Sequence, residues 1–520
     1  MITFRRLALF GLLPLLAHCA AAPRMDGVQP SYAVPAAQST RLDHLVLDEF
    51  GSEPGVSGIR LIEQNALAYA YRAATAVAAE RTLDVQYYIW RDDLTGRLLA
   101  AELMRAAERG VRVRVLVDDA DARAKHDVFR VADLHPNIEV RIFNPFYDRY
   151  GQIGKVSEFL LRGSQLSRRM HNKAWLADNR VAIIGGRNIG DEYFGVAAAS
   201  NFSDIDVMLT GAVVKEVSRE FDDYWNSAAA VPVARFDGRK PGPEELDALV
   251  ESARQYGHEA GETPYVSALR DLQQQADLIA GAPPMLRVTG VTLLVDDPAK
   301  ISTKSDSAGA SRVLHGVETV IGSAQSEALI FSPYLVPGES VRRTLVADAG
   351  RGVRVAIVTN SLAATDVAAV HTGYSRYRPD LLRGGVELYE MKRMVAREDV
   401  RQQLSLTGSS GATLHTKALV IDGHWVLVGS MNLDPRSANL NTEMAVLVDS
   451  AELASQVRHQ FEINTAPDLS YHVKLEGDGN LVWYDTVKGQ PRRTEHDPDT
   501  SALFRFGVTL LRVLPIESLL

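Results

Sequence analysis

Apolar positions along the chain switch between two periods. Residues 61–80 carry alanine and leucine at helical spacing, and 83–90 read as a strand. Helical spacing returns over 98–109, and Gly110 then leads into an apolar strand over 111–117. Helix and strand patterns in this alternation predict an α/β fold, a mostly parallel or mixed sheet flanked by helices. The order recurs later: 328–331 is strand-like, 341–349 helical, and Arg351-Gly352-Val353-Arg354-Val355 opens a further strand. That pentapeptide repeats Arg109-Gly110-Val111-Arg112-Val113 at an offset of 242. An internal repeat of this kind points to a duplicated unit, so two lobes are expected, over 56–230 and 286–465. Pro232, Pro241, Pro243, Pro283 and Pro284, together with two charged helical patterns, mark 231–285 as a connection between the lobes.

The two ends have a different character. Arg5 and Arg6 precede an uncharged apolar run over 7–17, which is too short for a stable membrane span and is followed by Cys19. This start resembles the lipobox of bacterial lipoproteins. The resemblance implies a signal segment over 1–18, lipidation of Cys19, and a membrane-anchored location on the periplasmic side of a bacterial envelope. Residues 19–55, rich in Ala, Pro, Gly and Ser, read as a tether. In the tail, 466–520, Gly477, Asp478 and Gly479 between strand-like runs predict a hairpin. The apolar stretch 503–520, interrupted by Arg505 and Arg512, reads either as a helix docked on the body or as one resting in a bilayer interface.

Composition removes several classes. At 46% hydrophobic and 23% charged residues the chain is neither disordered nor fibrous. Sixty-five acidic against 56 basic residues, a formal charge of -9, argue against a general nucleic-acid coat, and no nucleic-acid partner is expected. One cysteine leaves no intrachain disulfide and no cysteine-based zinc site.

The chemistry is carried by a repeated pattern, HxKx4D. It occurs as His171, Lys173 and Asp178, and again as His415, Lys417 and Asp422. Gly185 and Asn188 follow the first copy and Gly429 and Asn432 the second, all at an offset of 244. One such pattern arises by chance in about 2% of chains this long; two, with matching Gly and Asn, do not. Each copy lies on an apolar run expected to be a strand, where alternate side chains share a face. His171 with Lys173, and His415 with Lys417, therefore point to one side. The stretches 178–180 and 422–424 turn into a second strand whose glycine corner exposes Asn188 or Asn432. Imidazoles, ammonium groups and amides converging from two lobes suit a phosphodiester. The donors offset charge on the phosphoryl oxygens while one imidazole attacks and the other moves protons.

On these residues the chain is identified as a member of the phospholipase D superfamily over about 56–465. The resemblance implies two pseudo-symmetric lobes with a shared active site at their interface, and an acidic residue orienting each histidine. Glu443 matches in the second lobe and Asp204 in the first, with Asp206 as the fallback. Asp178 and Asp422 would mainly support the site. No metal or other cofactor is implied, and a lysine beside each histidine would repel a cation. Residues 141–145, 185–190 and Leu514-Pro515-Ile516-Glu517 are similar to bacterial cardiolipin synthases of the C type. That similarity implies transfer of a phosphatidyl group to phosphatidylglycerol, with phosphatidylethanolamine as a plausible donor, through a phosphatidyl-histidine formed on His171. A hydrolytic phospholipase D, a nuclease and a non-catalytic lipid-binding lipoprotein are the alternatives. His371 is a further candidate substrate contact.

Overall fold

The computed structural model describes residues 22–511 apart from 36, 51–52, 54, 150–157, 159–161, 198–200, 262, 264, 268, 270–283, 303–310 and 394–411. The signal segment, Cys19 and Leu514-Pro515-Ile516-Glu517 lie outside the described residues.

In the first lobe α1 (Arg41–Phe50), β1 (Ser57–Ile62), α2 (Asn65–Ala78), β2 (Thr82–Tyr87), α3 (Leu94–Glu108), β3 (Arg112–Asp118) and β4 (Ile138–Phe143) lead to β5 (Ala174–Ala177) and β6 (Val181–Gly185). β7 (Asn201–Ser203), β8 (Asp206–Gly211), α4 (Val214–Trp225) and β9 (Ala230–Pro232) complete it. The connection carries α5 (Pro243–Ala260) and β10 (Leu286–Val288). The second lobe runs through β11 (Val291–Val295), α6 (Arg312–Gly322), β12 (Glu327–Phe331), α7 (Gly338–Gly350), β13 (Arg354–Asn360), α8 (Ala368–Arg383) and β14 (Glu387–Met391). β15 (Ala412–Leu414), β16 (Ala418–Ile421), β17 (Trp425–Gly429), α9 (Pro435–Asn439), β18 (Met444–Asp449), α10 (Ala451–Thr465) and β19 (Ser470–Leu475) follow. β20 (Leu481–Val487), β21 (Gln490–Thr494) and α11 (Ala502–Leu511) end the described chain.

The duplication is visible strand by strand. The first sheet has the order β10-β1-β8-β6-β5-β2-β3-β4-β9, and the second β11-β18-β17-β16-β12-β13-β14-β19-β20-β21. Within these two sheets, the parallel pairs among the described residues are those of β2-β3-β4 and β12-β13-β14, where helices cross between strands. Tight hairpins such as β5–β6 and β16–β17 make the remaining pairs antiparallel, so both sheets are mixed. α4 and α10 lie between the sheets: Phe221, Tyr224 and Trp225 share one core with Leu453, Val457 and Phe461 and with residues of both sheets. Apolar side chains buried in that core, at about 1.5–3 kcal/mol each, hold the lobes face to face.

Two boundaries differ from those expected. The stretch read as a tether packs on the first lobe from about residue 29. Ser31 and Ala33 donate backbone N–H groups to Asn226 Oδ1 and Asp222 Oδ2. Leu42, Val46 and Phe50 bury one face of α1, and Asp43 is enclosed by Arg81 and Arg180. Residues 286–288 belong to the first sheet, since β10 pairs with β1. The hairpin about Gly477-Asp478-Gly479 forms, and it extends the second sheet, because β19 pairs with β14.

Candidate active site

The motif strands begin only after the His-x-Lys residues expected to lie on them. β5 starts at Ala174 and β16 at Ala418, so each His-x-Lys segment is an arm ahead of its strand rather than part of it. Each arm is strapped to the opposite lobe. His171 N donates to Thr442 O at 2.9 Å and Thr442 N to Arg169 O at 2.9 Å. In the mirrored contact β15 pairs with β7, and His415 N donates to Ser203 O at 2.8 Å. These straps fix a crosswise pairing that the residue order did not reveal. His171 Nδ1 lies 2.8 Å from Oε2 of Glu443, and His415 Nδ1 lies 2.5 Å from Oδ2 of Asp204. Each lobe therefore orients the other lobe's histidine. Asp206, the fallback, is instead enclosed by Arg72 and Arg187.

Lys173 Nζ donates to His171 O at 2.6 Å, and Lys417 Nζ donates to His415 O. All six side chains are buried, and burial sets their charge. It draws both imidazoles down to about 4; Lys173 adds to this at His171 and Lys417 at His415, while Glu443 and Asp204 oppose it. Burial thus favours the neutral form of both rings at pH 7. Burial also draws the Lys417 ammonium down to about 8 and pushes Lys173 well below its ordinary value. Burial alone would raise the carboxyls, but the adjacent histidines and lysines outweigh it and hold Asp204 and Glu443 below the ordinary range.

Asp178 and Asp422 are not in this cluster. The four residues of β5 separate Asp178 from Lys173, five steps along the chain or about 17 Å. Asp178 takes φ 52° and Asn179 φ 54°, while Asp422 takes φ 51° and Gly423 φ 72°, the pattern of a type I′ hairpin turn. The Asp178 carboxylate accepts the backbone N–H groups of Glu80, Arg81 and Thr82 at the start of β2. Asp422 does the same for Gln325, Ser326 and Glu327 at the start of β12. The aspartate of each motif thus pins its strand to the neighbouring one.

The asparagines follow the glycine corners as expected but differ in use. Asn188 Oδ1 accepts from Ile89 N at 3.2 Å, and its Nδ2 donates to the Tyr193 hydroxyl at 2.9 Å. Asn432 is buried, and its Oδ1 has no hydrogen-bond partner among the described residues. His371 sits on α8, where its Nε2 lies 3.4 Å from Asp497 of the C-terminal segment. Sequence reasoning missed the aromatic walls. Tyr88 packs edge-on against His171 at 5.2 Å, and Tyr193 and Phe202 enclose His415 at 5.2 and 4.9 Å. It also missed Ser430, whose hydroxyl donates to Glu443 Oε2 at 2.5 Å. Asp118 was missed too: buried at the end of β3, it accepts from Met170 N at 2.9 Å and so steadies the His171 arm.

The profile of the family described as "Cardiolipin synthase, PLD-like domain" matches residues 74–225 and 317–464, one match per lobe. The chain belongs to this branch of the phospholipase D superfamily. It is 40% identical to cardiolipin synthase C of Escherichia coli (strain K12) over 481 residues, covering 92% of this chain and all of that one. Against cardiolipin synthase B of the same strain it is 25% identical over 402 residues, 77% of this chain and 78% of the relative. Among solved structures, phosphatidylserine synthase of Haemophilus influenzae superposes with a TM-score of 0.57 at 13% identity, over 89% of this chain and 95% of that one. That likeness concerns the fold.

Proposed function

We propose that this protein makes cardiolipin, transferring a phosphatidyl group from a phospholipid donor, such as phosphatidylethanolamine, to phosphatidylglycerol. The observation that carries the reading is the crosswise pair: two imidazoles in one cleft, each held at Nδ1 by a carboxylate of the other lobe. With Nδ1 engaged, Nε2 is the nitrogen left for chemistry on each ring. The name of the relative that matches over nearly the whole chain adds support.

His171, neutral, attacks the donor phosphorus through Nε2. The P–N bond forms, the bond to the headgroup oxygen breaks, and His415 gives that oxygen a proton. The phosphodiester's own charge favours the protonated His415 needed for this step, and Asp204 stabilises it. His415 then takes a proton from a glycerol hydroxyl of phosphatidylglycerol. That oxygen attacks phosphorus, the P–N bond breaks, and His171 returns to its neutral form. Lys173, Lys417 and Asn432 stabilise the phosphoryl oxygens, and Asn188 acts by holding Tyr193 beside His415.

Attachment to a membrane through lipidated Cys19, on the periplasmic side of the envelope, completes the proposal. No described helix is long and apolar enough to cross a membrane. On α11, Leu503, Phe506 and Leu510 are 80%, 60% and 57% exposed. Such a face suits contact with the bilayer that carries the substrates. Equal incorporation of labelled fatty acid into wild type and Cys19→Ala would refute the anchor.

Water competes with the lipid hydroxyl for the phosphatidyl-histidine, so product identity is the test. Positioning can supply effective molarities of about 10⁵ M or more, far above that of water. Purified protein in mixed vesicles should make cardiolipin in excess of phosphatidic acid. Phosphatidic acid as the dominant product at high phosphatidylglycerol, with no cardiolipin by mass spectrometry, would make the protein a hydrolytic phospholipase D.

A further inference from the structure

Two residues at the carboxyl ends of β12 and β13 flank the His415 arm without taking part in the chemistry above. Tyr334 follows β12, in a segment strapped to the one bearing Asn432: Leu433 N donates to Ser332 Oγ at 3.0 Å, and Val336 N to Leu433 O at 2.7 Å. Asp366 follows β13, whose last residue, Asn360, clasps Leu414 beside His415. Asn360 Oδ1 accepts from Leu414 N at 3.0 Å and its Nδ2 donates to Leu414 O at 2.9 Å. The Tyr334 hydroxyl donates to the Asp366 carboxylate, lying 2.7 and 2.9 Å from its oxygens. Asp366 is exposed, and among the described residues no cation pairs with it. The two residues therefore place an open, braced carboxylate at the rim of the cleft, at the strand ends where α/β sheets bind ligands.

The geometry points to Asp366, oriented by Tyr334, as the residue that selects a donor headgroup carrying a cation. This rests on the phosphatidyl-transfer reading above. With the phosphorus between His171 and His415, the headgroup leaves on the His415 side, where Asp366 stands. An ammonium two methylenes from the phosphoester oxygen is the group whose charge this carboxylate complements. A glycerol headgroup is neutral and gains only hydrogen bonds there. The placement agrees with electrostatics within the site: burial draws Lys417 down, and Asp366 is among the carboxylates that oppose it. One carboxylate thus senses both the phosphoryl-binding lysine and the space beyond it.

The test compares full-length wild type, Asp366→Asn and Tyr334→Phe in vesicles of phosphatidylglycerol alone and of phosphatidylglycerol with phosphatidylethanolamine. Released ethanolamine and glycerol are measured against cardiolipin formed. Asp366→Asn conserves shape at an exposed position, so folding is not at stake. An ion pair open to solvent is worth up to about a fivefold preference. Ethanolamine release should therefore fall about threefold to fivefold in Asp366→Asn, with glycerol release from phosphatidylglycerol alone changed less than about twofold. Tyr334→Phe should fall between that variant and wild type. An unchanged ratio of ethanolamine to glycerol in Asp366→Asn, or an equal fall in both, overturns the assignment while cardiolipin synthesis stands. Wild type that makes cardiolipin with glycerol release alone overturns the cationic headgroup. Wild type that makes no cardiolipin overturns the underlying reading and this assignment with it.

Discussion

Residue 186 in the first lobe and residue 430 in the second stand at equivalent places, each one step past the glycine that ends β6 or β17. The first is glycine and the second serine. A Cβ at Gly186 would lie 2.4 Å from Asp204 Oδ1, so nothing larger than hydrogen fits beside that short acid. In the second lobe the acid is Glu443, one methylene longer, and Ser430 has room to donate to it. The lobes also differ one step on: Arg187 and Asp206 form a buried ion pair where the second lobe has Met431 and Ala445. What the duplication has kept is the position of a carboxylate against the other lobe's Nδ1. The side chains that deliver it have changed.

The largest effects should come from the groups that remained alike. His171→Ala and His415→Ala should each lower cardiolipin formation by more than about 10³-fold, since nucleophile and proton carrier act as one unit. Next come the crosswise acids. Glu443→Gln and Asp204→Asn keep shape but lose the charge that stabilises an imidazolium, and each should cost about 10²-fold or more. Kinetics in mixed vesicles measure both. If either histidine variant kept more than about a tenth of the activity, the two lobes would not share one centre. If one acid variant were silent while the other was crippled, only one lobe would depend on its neighbour.

How much of this could be read from the residues depends on whether the signal is local. The paired His and Lys positions are local and duplicated, so they stand out at once. Partnership is not local: His171 and Glu443 are 272 residues apart, and only the straps through Thr442 and Ser203 decide which acid meets which ring. Tyr88, Tyr193 and Phe202 look like ordinary core aromatics near strand ends, and nothing in their spacing marks them as walls of a cleft. The stretch before β1 misled by composition. Its prolines and alanines suggest a free tether, yet its backbone groups find Asn226, Asp222, Arg114 and Arg141 on the first lobe. The parallel core of each sheet was legible from the alternation of helix and strand. The antiparallel arm was less so, because β5, β6, β16 and β17 are short apolar runs whose pairing is set by their turns.

Positions 186 and 430 offer a sharper comparison with a smaller effect. Gly186→Ala should push Asp204 off His415 and lower the rate about tenfold or more, with the loss in kcat because the histidine is misplaced rather than the lipid excluded. Ser430→Ala removes one hydrogen bond from a carboxylate that keeps its hydrogen bond with His171, and should cost about threefold to tenfold. Steady-state kinetics on both variants make the comparison. Equal losses would mean that Asp204 can shift to admit the methyl group, and that the glycine is not required by crowding.

The smallest effect on turnover should come from the motif aspartates, and here the lobes differ by exposure. Asp178 is fully buried, whereas Asp422 is only half-buried. Removing the Asp178 carboxylate leaves three backbone N–H groups at the start of β2 without their acceptor, and that of Thr82 is buried away from water. Alanine must also hold a left-handed turn conformation that aspartate tolerates better. Asp178→Ala should therefore destabilise the protein by about 3 kcal/mol. At Asp422 water can replace part of what is lost, and Asp422→Ala should cost about 1 kcal/mol. Both should lower the midpoint of urea unfolding in that order while the folded fraction keeps its rate within about tenfold. A loss in rate as large as that of His171→Ala, at unchanged stability, would bring these carboxylates into the reaction despite their place at the far end of the strand.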